Sequence, residues 1–338
     1  MDDGFEEKDM RIGIVGAGAI GGLMGARLAA AGEDVTLIAR GPHLEAIRKN
    51  GLKLVMDDDD VCHPRWIKAT DSIADAGCQD IVILALKAHQ IAPVAPDLPS
   101  LFGPETVVVP VQNGIPWWYF QRHGGEFEGR RFHSLDPEGV IEANVEAERI
   151  IGCIAYPAAE IASPGVIRHI EGNRFPVGEL DGAETARVNM LWQVLTLAGF
   201  ESRILTDIRA EIWLKAWGNL TFNPVSALTR AMLNEICQFA LTRELAQNMM
   251  LEAQAVAHKL GITFRHTIEK RINGAEKVGA HKTSMLQDLE SGRELETEAL
   301  IGAVIELGKL TGTPTPYIKA VYACITLLAQ TAPKRAVA

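Results

Sequence analysis

No CxxC pair occurs in the 338 residues, and the five cysteines, Cys62, Cys78, Cys153, Cys237 and Cys324, are scattered and odd in number. That pattern argues against a disulfide framework and fits reduced thiols in a cytoplasm. Cys62 adjoins His63, but no second Cys/His cluster stands at ligand spacing, so no metal site is expected. Basic charge is in deficit. The 33 Lys and Arg against 43 Asp and Glu leave a formal net charge of −10. Such a chain has no electrostatic drive toward nucleic acid or an anionic membrane, which leaves only a local basic pocket for a small anion. Long apolar runs are missing as well. The segments IVILAL and VVVPV are strand-length, short of the ~20 residues a membrane helix needs. The opening MDDGFEEKDM is acidic and has no apolar centre, so residues 1–9 read as a short disordered leader rather than a signal peptide.

What is present has an order. A chain of this length exceeds the usual single core, so two domains are expected. The first half alternates strand and helix patterns. RIGIV (11–15), DVTLIAR (34–40), DIVILAL (80–86) and TVVVPVQNG (106–114) are apolar runs of the kind that lie buried on both faces. Helical segments at 20–31 and in GPHLEAIRKNG, ended by Gly51, lie among them, which argues for right-handed βαβ units and a mostly parallel sheet. The acidic run DDDD (57–60) reads as a solvated turn. Short runs between 150 and 178 read as further strands of the same domain, closed by a helix at 183–198 and a strand at 202–205. Beyond Thr206 the pattern is helical, with Asp207 a candidate N-cap and further helices near 235–259, 266–278, 284–309 and 315–329. The fold class is therefore α/β: a Rossmann-type dinucleotide-binding domain over 1–206 followed by an all-α domain over 207–338.

RIGIVGAGAIGG carries Gly16-x-Gly18-x-x-Gly21 directly after a strand and before a helix, with Ala19 and Ile20 opening that helix. Gly16 permits the tight turn, Gly18 the approach of a pyrophosphate to the backbone, and Gly21 close helix–strand packing. The helix N-terminus offers free N–H groups and the positive end of its dipole. An NAD site usually ends the second strand with a carboxylate that holds the ribose 2′-hydroxyl. Here that end reads Ile38-Ala39-Arg40, and the planar fork of Arg40 suits a 2′-phosphate. NADP(H) is the expected cofactor. Two more strand tips carry polar side chains, Lys87 in LALKAHQ and Asn113 in PVQNG. Ligands of open α/β sheets bind beyond such tips. A solvated lysine and an ordinary Asn-Gly turn are the plainer alternatives.

The segment EIWLKAWGNLTFNPVSALT (211–229) places Lys215, Asn219 and Asn223 four residues apart, on one face of a helix otherwise rich in Trp, Leu and Phe. A helix apolar nearly all round is buried, and a buried polar stripe needs partners. A cleft between the two domains would supply them, and Pro224 is expected to kink or end the helix there. Hydride delivery to a ketone leaves charge on oxygen, which a nearby ammonium stabilises and protonates. Burial lowers a lysine's pKa, which eases proton donation. Farther on, KTSMLQDLESGRELETEAL (282–300) places Ser284 at a helix start, where its hydroxyl either caps the helix or binds a substrate carboxylate, and Asp288 and Glu296 follow. From the residues alone this is a capped acidic helix with a solvated face, and the two acids align only if the helix stays regular through Gly292.

In order and spacing, GAGAIGG, LALKAHQ, QNG, EIWLKAWGNLTFNPVSALT and TSMLQDLESGRELETE resemble the motifs of ketopantoate reductases (2-dehydropantoate 2-reductases), within the 6-phosphogluconate-dehydrogenase-like superfamily. The likeness runs from Arg11 to about Leu328. It implies a Rossmann domain, an all-helical C-terminal domain and an active site between them. On this resemblance Lys215 falls on the proton-donating lysine and Glu296 on the glutamate that contacts the hydroxyl product and helps orient that lysine. Asn113, Asn219, Asn223 and Ser284 fall on substrate-binding positions, Lys87 on the lysine near the nicotinamide, and Arg40 near the basic residue that holds the 2′-phosphate. Asp288 matches the motif too, with a structural role open to it. The chain departs from the family after QNG, where it reads IPWWYFQRHGGEFEGRRFHSLDPEG. The run Trp117 to Phe120 is either core or the wall of a cleft for a bulkier acid. The implied activity is NADPH-dependent reduction of a 2-oxo acid, with ketopantoate to (R)-pantoate in coenzyme A precursor synthesis first. A D-2-hydroxyacid dehydrogenase on a bulkier acid comes second, and a non-catalytic NADP-binding sensor third. The partner is a small molecule, with no nucleic acid and no membrane, and the long apolar helices are candidates for a homodimer contact.

Overall fold

The computed structural model describes residues 10–56, 60–64 and 66–332; the leader 1–9 and Asp57–Asp59 of the acidic run lie outside them. A five-stranded parallel sheet forms from β1 (Arg11–Val15), β2 (Asp34–Ile38), β5 (Ile67–Thr70), β6 (Gln79–Leu84) and β7 (Phe102–Pro110), in the order β5-β2-β1-β6-β7. Ile14 pairs with Leu37 on one side and Ile83 on the other. These strands are continuous in Val, Ile and Leu because both faces are covered. The chain leaves β1 toward β2 on one side and later returns to β6 on the other. The crevice beyond the C-terminal ends of β1 and β6 is thus the topological switch point where such sheets bind ligands.

Helix α1 (Ala19–Ala30) is buried on nearly every side, with Leu23, Met24, Ala26 and Leu28 wholly inaccessible. The parallel sheet covers one side of it. A second sheet, β4-β3-β10-β9, built from β3 (Lys53–Val55), β4 (Val61–Cys62), β9 (Ala158–Ser163) and β10 (Val166–Glu171), covers another. Gly22 faces this sheet: a Cβ there would lie 2.6 Å from Ile167. The runs between 150 and 178 therefore join the α/β half, as a separate layer across α1. The rest of them form the antiparallel pair β8 (Ile151–Cys153) and β11 (Val177–Glu179). The strand expected at 202–205 is reduced to isolated bridges at Glu201 and Ile204. Helix α2 (Gly41–Asn50) ends at Gly51, whose φ of 75° terminates it as expected. Two more helices, α3 (Val140–Asn144) and α4 (Ala186–Leu197), complete this half; the Thr185 hydroxyl caps α4 at Val188 N–H.

Every later element is helical. Helix α5 (Ile208–Thr229) is capped by Asp207, whose carboxylate accepts from Ala210 N–H at 2.9 Å. It is the buried axis of the helical half, flanked by α7 (Ala240–Lys259), α9 (Ser284–Glu290) and α11 (Pro316–Thr331). Of the kink or end expected at Pro224, the end does not occur, and α5 runs five residues beyond it. Packing of this inaccessible face against three helices outweighs the proline's local cost of about 3 kcal/mol. Two long helices expected from the sequence are broken. The 235–259 segment splits into α6 (Leu233–Gln238) and α7 at the extended Phe239. The 284–309 segment stops after α9 at Gly292, with φ 66°, then resumes as a π-turn over Glu298–Gly302 and α10 (Ala303–Leu310). Helix α8 (Ile268–Lys277) packs on α6 and α7.

The aromatic run is core. Trp117, Trp118, Tyr119 and Phe120 are all at most 6% exposed. Phe120 stacks on Phe132 with centroids 5.2 Å apart, and Tyr119 Oη accepts from Trp213 Nε1 of α5 at 2.8 Å. Arg209 Nε donates to Tyr119 C=O at 2.7 Å, so this segment ties the α/β half to the first turn of α5. Among the described residues no helix is long and apolar enough to cross a membrane, and no group of three or more His, Cys, Asp or Glu is placed to hold a metal ion.

Candidate active site

The glycine turn after β1 has the three properties its spacing implies. Gly16 sits at φ 102°, and a Cβ there would lie 2.7 Å from Ala85 C=O. A Cβ on Gly21 would lie 1.9 Å from Gly16 C=O, so α1 can approach β1 only through a glycine. At Gly18 a Cβ would meet nothing within 4 Å, so the space above that backbone is open to a ligand. Gly18 is also the N-cap of α1, and no side chain caps or charges its first turn, where Ala19 and Ile20 lie. An open, uncapped helix N-terminus at a switch point fits a dinucleotide pyrophosphate. Arg40, at the C-terminal end of β2, is exposed and makes no hydrogen bond or ion pair with any described residue. Glu33 and Asp34 lie at the opposite end of that strand, where Asp34 pairs with Lys68 at 2.8 Å.

Lys215 lies in the middle of α5 and points across the interface. Its Nζ donates to Asn113 Oδ1 at 2.6 Å and to the backbone carbonyl of Ala155. Burial lowers its pKa from 10.5 to about 8; the charges of Glu296 and, less strongly, Cys153 oppose the fall. Cys153 is itself buried and pushed up to about 12, so it is a neutral thiol. Gln112, Gly114, Trp118 and Cys153 line a narrow pocket around Lys215. A larger cavity of about 490 Å³, among Arg130, Glu306 and Tyr322, holds none of the expected site residues.

Asn113 owes its place to the glycine after it. Gly114 has φ 83°, a Cβ there would lie 2.2 Å from Ala299 C=O, and Ile115 N–H donates to that carbonyl at 3.0 Å. The Asn-Gly turn is thereby fastened to the π-turn of the helical half, and such turns often mark functional sites. One turn after Lys215, Asn219 is half-buried and makes no hydrogen bond with any described residue. Another turn on, Asn223 Nδ2 donates to Ser284 Oγ at 3.3 Å. Ser284 is not the cap of its helix. Thr283 accepts from Leu286 N–H in that role, which leaves the Ser284 hydroxyl exposed toward the stripe.

Lys87 is less free than its strand-tip position implies. Its Nζ donates to Asp288 Oδ2 at 2.7 Å and to Glu294 C=O at 2.9 Å. Asp288 is buried and also accepts from Arg293 Nε at 2.8 Å, so it clamps the tip of β6 to α9. Glu296 Oε1 accepts from Ala88 N–H at 3.3 Å. Burial raises its pKa, and Lys87 and then Ala88 N–H pull it back down. The break at Gly292 means that Asp288 and Glu296 do not share a helix face. Instead the chain folds back so that both reach the 87–88 segment.

Three contributors lack a role in the sequence argument. Tyr156 lies under Lys215, with Nζ 5.8 Å from the ring centroid, and its hydroxyl donates to Glu211 Oε1 at 2.5 Å. Glu211 is buried and pairs with Arg265 at 2.9 Å. The Ala155 carbonyl accepts from the lysine. Glu211 had a signal: it stands four residues before Lys215 and extends the polar stripe backward by one turn. Tyr156 and Ala155 had none, because only the folded chain brings that loop to α5.

Two family models match the chain, ketopantoate reductase PanE/ApbA over residues 12–182 and its C-terminal counterpart over 207–329. A 2-dehydropantoate 2-reductase of Mesorhizobium japonicum is 49% identical over 321 residues, covering 95% of this chain and 98% of that one. A solved structure of a candidate ketopantoate reductase from Ralstonia solanacearum MolK2 is 38% identical and superposes with a TM-score of 0.91, covering 96% of this chain and 99% of that one. The structure of D-mandelate dehydrogenase with NADH and anilino(oxo)acetate superposes with a TM-score of 0.81 at 23% identity, over 95% and 99% of the two chains, a likeness of fold alone.

Proposed function

Since this chain belongs to the ketopantoate reductase family, we propose that it reduces a 2-oxo acid to the 2-hydroxy acid with NADPH, converting 2-dehydropantoate to (R)-pantoate for pantothenate and coenzyme A synthesis. The observation that carries this reading is Lys215, a lysine lowered to about 8 and held by Asn113 and Ala155 at the head of an asparagine stripe facing the switch-point crevice. Residues 1–206 then act as the cofactor domain and 207–338 as the substrate domain.

The open backbone at Gly18 and the N–H groups of Ala19, Ile20 and Gly21 would receive the pyrophosphate, and Arg40 the 2′-phosphate. A nicotinamide held there would supply the hydride. Lys215 as ammonium donates a hydrogen bond to the ketone oxygen and then transfers a proton to it as charge develops. The oxygen gains that proton, the carbon gains the hydride, and Lys215 is left as an amine that recovers its proton from water. Glu296 raises the ammonium population of Lys215 and contacts the hydroxyl of the product. Asn219, Asn223 and Ser284 fix the rest of the acid. Lys87 and Asp288 hold the two halves in register at the nicotinamide end. The buried Tyr119 and Phe120 speak against an enlarged cleft; of the aromatic run, Trp117 is absent from the lining of the Lys215 pocket and Trp118 borders it. Leu241 and Leu251 on α7 and Leu327 on α11 are exposed, and we assign them to a homodimer contact.

Initial rates of NADPH oxidation with ketopantoate, pyruvate, and branched-chain and aromatic 2-oxo acids test the reading. A kcat/KM for ketopantoate of ~10⁴ M⁻¹s⁻¹ or more, well above the others, is expected. A strong rate only with a bulky acid would move the substrate, and no rate with any would refute the activity.

A further inference from the structure

Arg271 on α8 is pressed against the substrate face of α5. A Cβ on Gly218 would lie 2.0 Å from Arg271 Nη2 and 2.8 Å from Cζ, so the guanidinium fills the side-chain space that Gly218 leaves vacant. Gly218 follows Lys215 by three residues and immediately precedes Asn219, which puts the guanidinium beside the polar stripe. It also lies within electrostatic reach of Tyr156, the ring that faces Lys215 Nζ.

This cation has no counter-ion among the described residues. Among the described residues the Arg271 side chain donates no hydrogen bond and joins no ion pair, in a chain with ten more acidic than basic residues. The neighbouring cations differ. Lys87 is held by Asp288, Arg265 by Glu211 and Arg243 by Glu276. Arg174 lies over the Tyr156 ring at 4.2 Å but is exposed. The groups that act on Arg271 most directly are Tyr156 and Cys237. Neither is charged near neutrality, because burial pushes the phenol well above its usual range and the thiol up to about 11. Burial correspondingly lowers the arginine's own pKa. A half-buried guanidinium without an anion is costly, and an anion arriving from outside would offset that cost.

We propose that Arg271 is the anion anchor of the cleft and receives the substrate carboxylate while the adjacent ketone lies at Lys215. This rests on the 2-oxo acid reading above. A planar fork matches a planar carboxylate through two parallel N–H donations. Because carboxylate and ketone sit on adjacent carbons, the group that fixes the first sets which face of the second is presented for reduction. Gly218 is then a specificity feature, since any side chain there would push the fork aside.

The test uses the full chain with Arg271→Met, Arg271→Lys and Gly218→Ala. The wild type is expected to prefer its best 2-oxo acid over the methyl ester of that acid. In R271M the KM for the acid should rise at least about thirtyfold, with the KM for NADPH unchanged and the acid-to-ester preference collapsing toward one. R271K should recover part of that preference. G218A keeps the charge but displaces it and gains helix propensity, so it should lose the preference without losing thermal stability. An R271M enzyme with the wild-type acid-to-ester ratio overturns the proposal. Calorimetric titration of oxamate onto the NADP-loaded protein separates this from the activity. Arg271-dependent oxamate binding in a protein that reduces no 2-oxo acid would keep the anchor and refute the reductase reading. Equal oxamate binding by wild type and R271M, or none by either, refutes the anchor.

Discussion

Burial places Lys215 at about 8 against the ordinary 10.5, a difference of about 3 kcal/mol against the ammonium form. If the ammonium is the proton donor, reduction needs the protonated state. The donor is then about 90% protonated at pH 7 and about 10% at pH 9, so kcat/KM should fall about tenfold across that range. An unperturbed lysine would lose only about 3% over the same range. Oxidation of the hydroxy acid needs the amine as base and should rise through the same window. The assay is kcat/KM against pH at saturating NADPH, in both directions. An alkaline limb centred above pH 9.5, or no limb, would refute the assignment. Glu296→Gln supplies an internal check. The Glu296 charge raises the Lys215 pKa, so its removal should move the limb to lower pH; an unchanged or higher midpoint would break the coupling. Stability follows the same titration. The folded pKa lies below the unfolded one, so the unfolded chain binds more protons between pH 8 and 10.5, and stability rises with pH there. The cost is fully present below pH 8. Relative to Lys215→Met, the wild type should therefore gain about 2 kcal/mol from pH 8 to pH 9.5 by urea denaturation.

Other consequences are local. Gly114→Ala places a Cβ 2.2 Å from Ala299 C=O at φ 83°, so it should lower stability by at least about 1–2 kcal/mol and reduce kcat as Asn113 moves; wild-type melting and turnover would contradict the fastening role. Phe120→Ala removes a ring that is 1% exposed. It should destabilise by about 3–5 kcal/mol and leave the KM for the acid unchanged, whereas an altered substrate preference without loss of stability would return the aromatic run to the cleft wall. Arg40→Ala should weaken NADPH about tenfold or more through the lost 2′-phosphate pairing and hardly touch NADH. Equal losses for the two cofactors would remove the basis for NADP preference.

The parts of this protein legible in its sequence are those fixed over a few residues. The Gly16, Gly18 and Gly21 spacing encodes a turn whose three steric demands are local, and each appears in the structure at its expected place. The strand tips at Lys87 and Asn113 follow from runs too apolar to be anything but interior strands. The stripe Lys215, Asn219, Asn223 follows from the helical period, which also reaches Glu211. Local rules failed where tertiary packing outweighed them. Of the kink or end that Pro224 invites, the end does not occur, because the surrounding helices hold it in a buried helix. Gly292 does end α9, and that break carries Glu296 back to Ala88. Thr283, one residue before Ser284, takes the cap of α9. The second sheet over α1 joins short strands from 53–62 with others from 158–171, a pairing that no window of sequence contains. The partners that tune the site, Tyr156 under Lys215, Asp288 on Lys87 and Arg271 against Gly218, come from segments far apart in the chain. Spacing along the sequence determined which residues could do chemistry. Only the folded interface decided which of them are desolvated and which are neutralised by a neighbour, because burial and charge pairing belong to the three-dimensional arrangement.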